Sequence, residues 1–532
     1  MRTRRLILPA IPVGVAAIVL AGCAVTATPA DTTSDTTATG SAASASTAVS
    51  AEAILAANEN ATVVRDDEWS DADAVDIELT GDGATTTASG VSVAGSTVTI
   101  SEAGVFRLSG SLEGSVVVSA ADDAQVVLIL DGVDISNADG PAVNVVTADD
   151  AAVFLAEGSD NTLSDASAYA EDADANAALY SSADLTISGT GTLTVEGNGN
   201  DGITSTDDLA ILSGTISVRA ADDALRGKDS LSIEGGTLAL DAGGDALKSD
   251  NAEEEGRGYI LIEGGTVDAT ADDDGLDATT DVVVTGGTLS VAATGDGLHA
   301  DASLALAGGT VVVTESNEAV EGVDIFIEGG DIDLTASDDG INAAGGAAAA
   351  TGGGMADSGE TLTISGGTLV VDAGGDGLDS NGSMTISGGT ITVFGPTDSG
   401  NGALDTNGAF TITGGTLLAV GSSGMAESPD ADSAQAWVAA LASGSAGDEV
   451  ELVDSSGTTV ASFTAEKTFQ SVVFSSAEIL DGAAYTVTVD GETAATATEG
   501  TATEGGMGAP GGGTGGGPGG GTGEGPGGGQ RP

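Results

Sequence analysis

The sequence predicts an all-β protein built on a single-stranded, right-handed parallel β-helix of about 22 residues per coil, with a small β-rich cap at its C-terminal end. Three observations predict this solenoid. Similar units recur along the chain, runs of alternating polar and apolar residues fill each unit, and glycine pairs separate the runs. A unit that cannot bury its own apolar face must stack on its neighbours, which is how solenoid repeats fold.

The repeating unit is marked by an acidic residue that precedes a small and an aliphatic residue, as in GGDALKS and TGDGLHA. This marker residue recurs in steps of 22, 22, 29, 22, 22, 21 and 37 residues. The two long steps contain insertions at 251–258 and 343–360. Insertions confined to one point of a repeat map to loops on one side of a solenoid.

Each unit contains two strand patterns, of which TLAL at 237–240 is an example. Alternation with a period of two places the aliphatic residues on one face and the polar residues on the other. Gly-Gly and Asp-Gly pairs supply the bends between strands. No unit contains a run of helical periodicity long enough for leucine-rich or α-helical repeats, so a β-solenoid is the architecture that fits.

The N-terminus has the features of an export signal over residues 1–22. Three arginines precede an apolar run, and the sequence Leu-Ala-Gly-Cys at 20–23 resembles a bacterial lipobox. This pattern predicts a lipoprotein with a diacylglyceryl group on Cys23, which is the only cysteine. The lipid alone would then hold the protein on the extracellular face of the cell membrane.

Low-complexity segments flank the predicted fold. Residues 23–64 are rich in Ala, Thr and Ser and predict a flexible tether, whereas the Gly-rich residues 496–532 predict a disordered tail. Between them, we assign residues 65–425 to the β-helix and residues 426–495 to the cap. The cap would cover the last strand edge, which otherwise invites aggregation.

The charge of the chain is strongly negative, with 12 basic and 82 acidic residues and a net charge of −70. Such a surface repels nucleic acid, so we expect a monomer without a nucleic-acid partner. Divalent cations with oxygen ligands would relieve the repulsion, although solubility alone could also explain the composition. A single histidine and a single cysteine argue against zinc or catalytic-triad chemistry.

Residues at the same place in successive coils stack about 4.8 Å apart, so the marker residues form a column of carboxylates. Some units add a second acid directly before the marker. Like charges at this spacing either raise their pKa or bind a cation, which predicts Ca²⁺ as a cofactor; ordinary turn chemistry is the alternative. Glu318 belongs to the column, and the predicted ligands are Asp201, Asp222, Asp223, Asp245, Asp273, Asp274, Asp296, Asp339 and Asp376.

A second column lies three residues further along each unit, and alternation turns its side chains outward. Its members are Thr204, Arg226, Lys248, Asp277, His299, Glu321, Asn342 and Asp379. Five basic residues fall between 219 and 257, where they would bind a carboxylated sugar or compensate the acidic column. The predicted carbohydrate-binding residues are Arg226, Lys228, Lys248 and His299.

The segments DALRGKDSLSIEGG at 223–236 and GDALKSD at 244–250, with the repeats after them, resemble a family of secreted bacterial carbohydrate-binding β-helices. These proteins are non-catalytic, calcium-dependent relatives of the pectate-lyase-like solenoids. The resemblance covers roughly residues 65–490. It implies calcium sites on the solenoid surface and a cellulosic or acidic polysaccharide as partner, but it does not indicate which aspartates are ligands.

Three functions follow as hypotheses. The first is a surface lipoprotein that binds polysaccharide with calcium and without catalysis. The second is a polysaccharide lyase that acts by β-elimination with Lys248 or Arg226 as base. Such a base needs a lowered pKa, whereas the surrounding negative charge should raise it. The third is a structural adhesin.

Overall fold

The computed structural model describes residues 50–170, 173–345 and 356–502. In these ranges the protein is all-β apart from the helix Ala51–Ala57 and the 3-10 turn Asp71–Asp73. Most strands join one long, parallel-rich sheet, and four C-terminal strands form a separate antiparallel sheet. This confirms the predicted all-β class and is consistent with a solenoid.

The signal peptide, Cys23 and most of the predicted tether and tail lie outside the described residues. Within residues 50–170, 173–345 and 356–502, no helix has the length and apolar character that a membrane span requires.

The parallel strands stack in three series, in which each strand pairs with the strand of its own series one repeat further on. The outer series pairs Leu209 with Leu231 and Leu231 with Ile260. Its strands are Val75–Gly81, Gly104–Glu113, Gln125–Ser136, Asp150–Leu155, Asp184–Gly189, Asp208–Ile211, Ser230–Ile233, Tyr259–Ile262, Asp281–Val284, Leu298–Leu306, Val320–Ile327, Thr361–Ile364, Ser383–Ile386 and Phe410–Ile412.

The site series carries the candidate functional residues, and it shares strands 298–306 and 320–327 with the outer series. Its own strands are Thr97–Ile100, Ser115–Ser119, Val143–Thr147, Ala177–Ser181, Asp201–Ser205, Leu225–Gly227, Leu247–Ser249, Leu276–Ala278, Ile341–Ala343, Leu378–Ser380 and Leu404–Thr406.

The alternating series follows the Gly-Gly bends and shows the predicted alternation of exposed and buried residues. Its strands are Asp160–Ser164, Thr192–Gly197, Thr215–Ala220, Thr237–Ala242, Thr266–Ala271, Thr288–Ala293, Thr310–Glu315, Asp331–Ala336, Thr368–Ala373, Thr390–Phe394 and Thr416–Gly421. Two short strands near the N-terminal end pair antiparallel with strands of the other series. Ala84–Thr86 pairs with Val75–Gly81, and Val91–Ala94 pairs with Thr97–Ile100.

Aliphatic side chains from all three series fill one long core between the strands. The Gly-Gly bends make this stacking possible. Gly265 has a φ of +81°, and a Cβ atom there would lie 2.9 Å from the carbonyl carbon of Gly235 in the preceding repeat. Only glycine combines this backbone conformation with so close an approach.

Residues 50–64 differ from the predicted tether because they lie on the outer series. The helix Ala51–Ala57 buries Ala51 and Ile54 against Val283 and Phe326. The backbone N–H of Val64 donates a hydrogen bond to Thr186 Oγ1 at 3.0 Å. The predicted tether as a whole is rich in Ala, Thr and Ser, but this part of it contains Ile54 and Leu55. Strands such as Asp281–Val284 lack alternation and offer a second apolar face, which these residues cover.

The C-terminal region contributes strands to two sheets. Strands Trp437–Ala440 and Ser471–Ser475 extend the sheet in antiparallel pairing beyond Thr416–Gly421. The separate antiparallel sheet consists of Glu449–Asp454, Thr459–Thr464, Ala484–Val489 and Glu492–Thr498. Lys467 joins the region to the repeats, since its Nζ donates to the carbonyl oxygen of Ala373 at 2.6 Å.

Candidate functional site

The marker acids stack along the entry to the site strands and form a hydrogen-bonded ladder. Asp223 Oδ1 accepts the backbone N–H of Asp245 at 3.0 Å, and Asp245 Oδ1 accepts that of Asp274 at 2.9 Å. The same contact joins Asp274 to Asp296 at 2.6 Å and Asp296 to Glu318 at 3.0 Å. The predicted stacking of the column is therefore confirmed.

One carboxylate oxygen of Asp223, Asp245, Asp274 and Asp296 thus satisfies a backbone donor, which is a structural task of the kind expected from turn chemistry. The second oxygen of Asp245 contacts Lys248, and those of Asp274 and Asp296 lie near His299, so these three oxygens face the outward column. Burial raises the pKa of Asp223 to about 7, with Asp201 adding to the effect and Lys248 opposing it. Burial likewise raises the pKa of Asp274 to about 6, and the Asp296 and Asp245 carboxylates add to that effect.

The outward column has the predicted register. Thr204 pairs with Arg226, Arg226 with Lys248, and Lys248 with Asp277. The pairing continues through His299, Glu321, Asn342, Asp379 and Asp405. Arg226 and Lys248 are therefore neighbours, as the repeat length predicts. Thr204 and Asn342 are more buried than an outward position would suggest, because Asp201 and Glu318 accept hydrogen bonds from them.

The two central cations already hold carboxylate partners. Lys248 forms an ion pair with Asp245 and a second one with Asp277 at 3.1 Å, and Arg226 Nη2 lies 2.6 Å from Asp250 Oδ2. Burial lowers the pKa of Lys248, but the surrounding carboxylates outweigh it and leave that pKa above its ordinary value. These contacts favour charge compensation over a cationic spot left free for an acidic sugar.

His299 lies among carboxylates from neighbouring strands. Its Nδ1 is 3.9 Å from Asp296 Oδ2 and 3.8 Å from Glu321 Oε2, and its Nε2 is 3.5 Å from Asp301 Oδ1. Burial lowers the pKa of His299, but the nearby carboxylates raise it above the ordinary histidine value. The environment is that of a charge-balancing group or metal ligand, rather than that of a histidine facing an open sugar site.

Three overlapping groups bring potential metal-ligand atoms within 4.8 Å of one another. We call their union the acidic patch, and it lies on four consecutive repeats. Its members are Asp245, Asp273, Asp274, Asp277, Asp296, His299 and Glu321. Four of these were predicted as ligands from the first column. Asp277 and Glu321 were not, although their places in the second column carried the signal.

The other predicted ligands lie outside the patch. Within the described residues, Asp201, Asp222, Asp223, Asp339 and Asp376 join no such group of three. Asp201 and Asp223 are almost fully buried, at 1% and 6% exposure, and Asp222 is exposed. Lys228 likewise stands apart from the outward column, at the corner between strands Leu225–Gly227 and Ser230–Ile233.

A second concentration of carboxylates lies near the C-terminal end of the columns. Burial raises the pKa of Asp379 to about 8, and Asp405, Asp376 and Asp339 raise it further. Burial also raises the pKa of Glu427 to about 8, with Asp405 as the largest charged contributor. The sequence column ended at Asp379 and missed Asp405 and Glu427, because the repeat pattern weakens there.

A family model for carbohydrate-binding domain-containing proteins matches residues 94–358 and 291–506, which together span well over half of the 532-residue chain. The chain belongs to this family. Both columns, the acidic patch and the C-terminal carboxylates of this family member fall inside the matched residues.

Two relatives extend this finding. A carbohydrate-binding domain-containing protein of Acetivibrio thermocellus is 35% identical over 178 residues, which make up 32% of this chain and 58% of the relative. A solved structure of a polysaccharide lyase-like protein from C. thermocellum, in a gadolinium derivative, is 31% identical, with a TM-score of 0.40. That match covers 49% of this chain and 93% of the other.

Proposed function

We propose that this family member is a cell-surface lipoprotein that binds acidic or cellulosic polysaccharide through a calcium-loaded β-helix, without catalysis. In this proposal the long sheet is a right-handed parallel β-helix of about 22 residues per coil, and Cys23 carries the lipid anchor. The observation that carries the proposal is the acidic patch, in which each group of three residues has ligand atoms within 4.8 Å of one another, in a carbohydrate-binding family member.

The donor set of the patch suits a hard cation. Asp245, Asp273 and Asp274 supply only carboxylate oxygens, the ligands that Ca²⁺ prefers. The groups that contain His299 add an imidazole nitrogen, which is a less usual calcium ligand, so the all-oxygen group is the better candidate. Burial is the main cause of the raised pKa of Asp274, and a bound cation would relieve the carboxylate repulsion that adds to it.

Bound Ca²⁺ would provide a local positive charge that attracts an acidic polymer to a chain of net charge −70. Ca²⁺ takes about six to eight oxygen ligands, so a group of three carboxylates leaves coordination positions for sugar carboxylates or hydroxyls. Asp273 is exposed and Asp274 is half-buried, so an ion held between them would face solvent. Lys248 also pairs with Asp277 and Arg226 with Asp250, outside the all-oxygen group, so the ion would be the main attraction for the polymer.

The contacts of the candidate bases support binding without catalysis. A lyase base must lose its proton near neutral pH, but the pKa of Lys248 lies above its ordinary value. The pKa of Arg226 is raised as well, because Asp250, Asp201 and Asp223 outweigh the effect of burial. Both side chains therefore remain protonated near neutral pH, and neither can take a proton from a uronate ring.

One experiment separates the three hypotheses. The protein is incubated with pectate and with cellulose, with calcium or a chelator, and bound polymer and unsaturated-uronate absorbance are both measured. Binding of pectate without new absorbance, lost on chelation, is the expected result. New absorbance would establish a lyase, and absence of binding to either glycan would favour an adhesin.

The matched variants are Asp274→Asn and Asp222→Asn. Both positions were predicted as ligands from sequence, but only Asp274 belongs to the acidic patch. We expect Asp274→Asn to weaken calcium-dependent binding and Asp222→Asn to leave it unchanged. Equal effects of the two variants would assign the role to net charge rather than to the patch.

A further inference from the structure

A cleft of about 520 Å³ opens on the outer series near the N-terminal end of the sheet, away from the acidic patch. Arg107, Ile129 and Phe154 occupy the same position on three adjacent strands, and Arg107 and Phe154 line the cleft. Residues 64–74 cross these strands and form the opposite wall. A volume of this size is typical of small-ligand sites, which occupy roughly 300–1,000 Å³.

Two aromatic rings, Trp69 and Phe154, line the cleft and contact each other. Trp69 and Phe154 form an edge-to-face pair with ring centroids 5.0 Å apart and planes inclined by 72°. Both rings pack on a small core that includes Val64 and Val127, and both are only partly buried. A pair that served only to fasten the crossing segment would be expected to bury its rings more fully, because exposed aromatic surface gains nothing from packing.

The polar residues of the cleft are arranged around one guanidinium group. Arg107 Nη1 donates to Asp131 Oδ2 at 2.7 Å, and Arg107 also forms an ion pair with Asp71. Asp66 and Glu157 add two further carboxylates to the lining. Four carboxylates against one cation make the cleft negative, so it would repel a uronate. Carboxylates are, however, strong acceptors for sugar hydroxyls.

We propose that this cleft is a second glycan-binding site, which takes a neutral sugar unit on the Trp69–Phe154 pair without calcium. The C–H face of a pyranose ring would pack on the aromatic surface, since a ring face carries the negative side of its quadrupole. Asp131 and Glu157 would accept its hydroxyl groups. Arg107, Asp131, Phe154 and Glu157 lie within the matched residues 94–358, but Trp69 precedes them, so family membership does not supply the aromatic pair. Only the ligand class rests on the proposed function.

Intrinsic fluorescence can report on this site because the chain has only two tryptophans. Trp437 is 2% exposed, and its indole N–H donates to the carbonyl oxygen of Asp430 at 3.3 Å. Trp69 is therefore the tryptophan that a ligand can reach. We expect soluble β-1,4-glucan oligomers, added in chelator, to change the emission in a saturable way, and Trp437→Phe to retain that change.

Calorimetry of two variants completes the test. Glu157→Gln, an exposed substitution that should not disturb folding, is expected to raise the Kd about tenfold through loss of a charge-assisted hydrogen bond. Trp69→Phe, which keeps a ring against Phe154, is expected to weaken binding with an unchanged circular dichroism spectrum.

Several outcomes would contradict the proposal that the cleft binds a neutral sugar. An unchanged Kd in Glu157→Gln would do so, as would galacturonate oligomers that bind in chelator as tightly as the neutral oligomers. Absence of any response to neutral oligomers, while calcium-dependent pectate binding persists in the same preparation, would remove this site and leave the proposed function standing. Absence of both would remove the two together.

Discussion

In the absence of calcium, we expect the protein to lose stability as the pH rises from about 5 to about 8. The pKa of Asp223 is raised to about 7, chiefly by burial, and that of Asp379 to about 8. An acid whose folded-state pKa is raised keeps a proton that the unfolded chain has already released. Its contribution to stability is therefore present at low pH and is lost as the pH rises through the folded-state pKa.

Asp223 gives the magnitude for a single group. Its pKa of about 7 in the folded protein stands against an ordinary value of 3.8, and its side chain is almost fully buried. At about 1.4 kcal/mol per pH unit, this difference corresponds to roughly 4 kcal/mol lost between about pH 4 and pH 7. Asp223→Asn keeps the oxygen that accepts the Asp245 N–H but cannot ionise. The variant should therefore flatten the pH dependence by about 1.4 kcal/mol per pH unit near pH 5–6.

The assay is denaturant unfolding followed by circular dichroism at a series of pH values, with chelator and with calcium. Calcium should restore stability at high pH, because it binds the deprotonated carboxylates of the folded state. Asp454→Asn is the control, since hydrogen bonds lower the pKa of Asp454 and it stays ionised over this pH range. Stability in chelator that is constant or rises from pH 5 to pH 8, or an Asp223→Asn slope equal to that of the wild type, would refute the reasoning.

Three further predictions follow from the same contacts. Asp274→Asn should lower the number of calcium ions bound in equilibrium dialysis, whereas Asp222→Asn should not; equal loss in both would contradict the patch. Lys248→Met should cost roughly 2 kcal/mol or more in chelator at neutral pH, because it leaves the buried Asp245 carboxylate unpaired. Arg219→Met should stay within about 1 kcal/mol, since its side chain is 72% exposed; similar losses would argue against compensation. Gly265→Ala should cost about 1–3 kcal/mol through its left-handed backbone and close neighbour, and an unchanged unfolding midpoint would contradict the role of the bend.

The sequence allowed the stacking to be predicted, because a repeat of constant length determines which residues are neighbours. The pairing of Arg226 with Lys248 across 22 residues and of Lys248 with Asp277 across the insertion follows from counting. The ladder did not follow from counting. Whether Asp245 Oδ1 reaches the Asp274 N–H depends on the backbone path through the turn, which the residue pattern does not specify.

Two features were missed because they join distant parts of the chain. The helix Ala51–Ala57 is only seven residues long, and it is stabilised by a strand face more than 200 residues further along. Likewise, nothing local connects Trp69 with Phe154, which meet only because residues 64–74 fold back over the outer series. Non-local packing of this kind overrides composition, which alone predicted a tether at 50–64.

The central claim is that calcium on the acidic patch makes the polysaccharide bind. Titration calorimetry of galacturonate oligomers into the protein, first with calcium and then with chelator, tests it most directly. We predict saturable binding with calcium, no binding in chelator, and loss of the calcium-dependent heat in Asp274→Asn. Equal binding in the two buffers, or an unchanged response in Asp274→Asn, would contradict the claim.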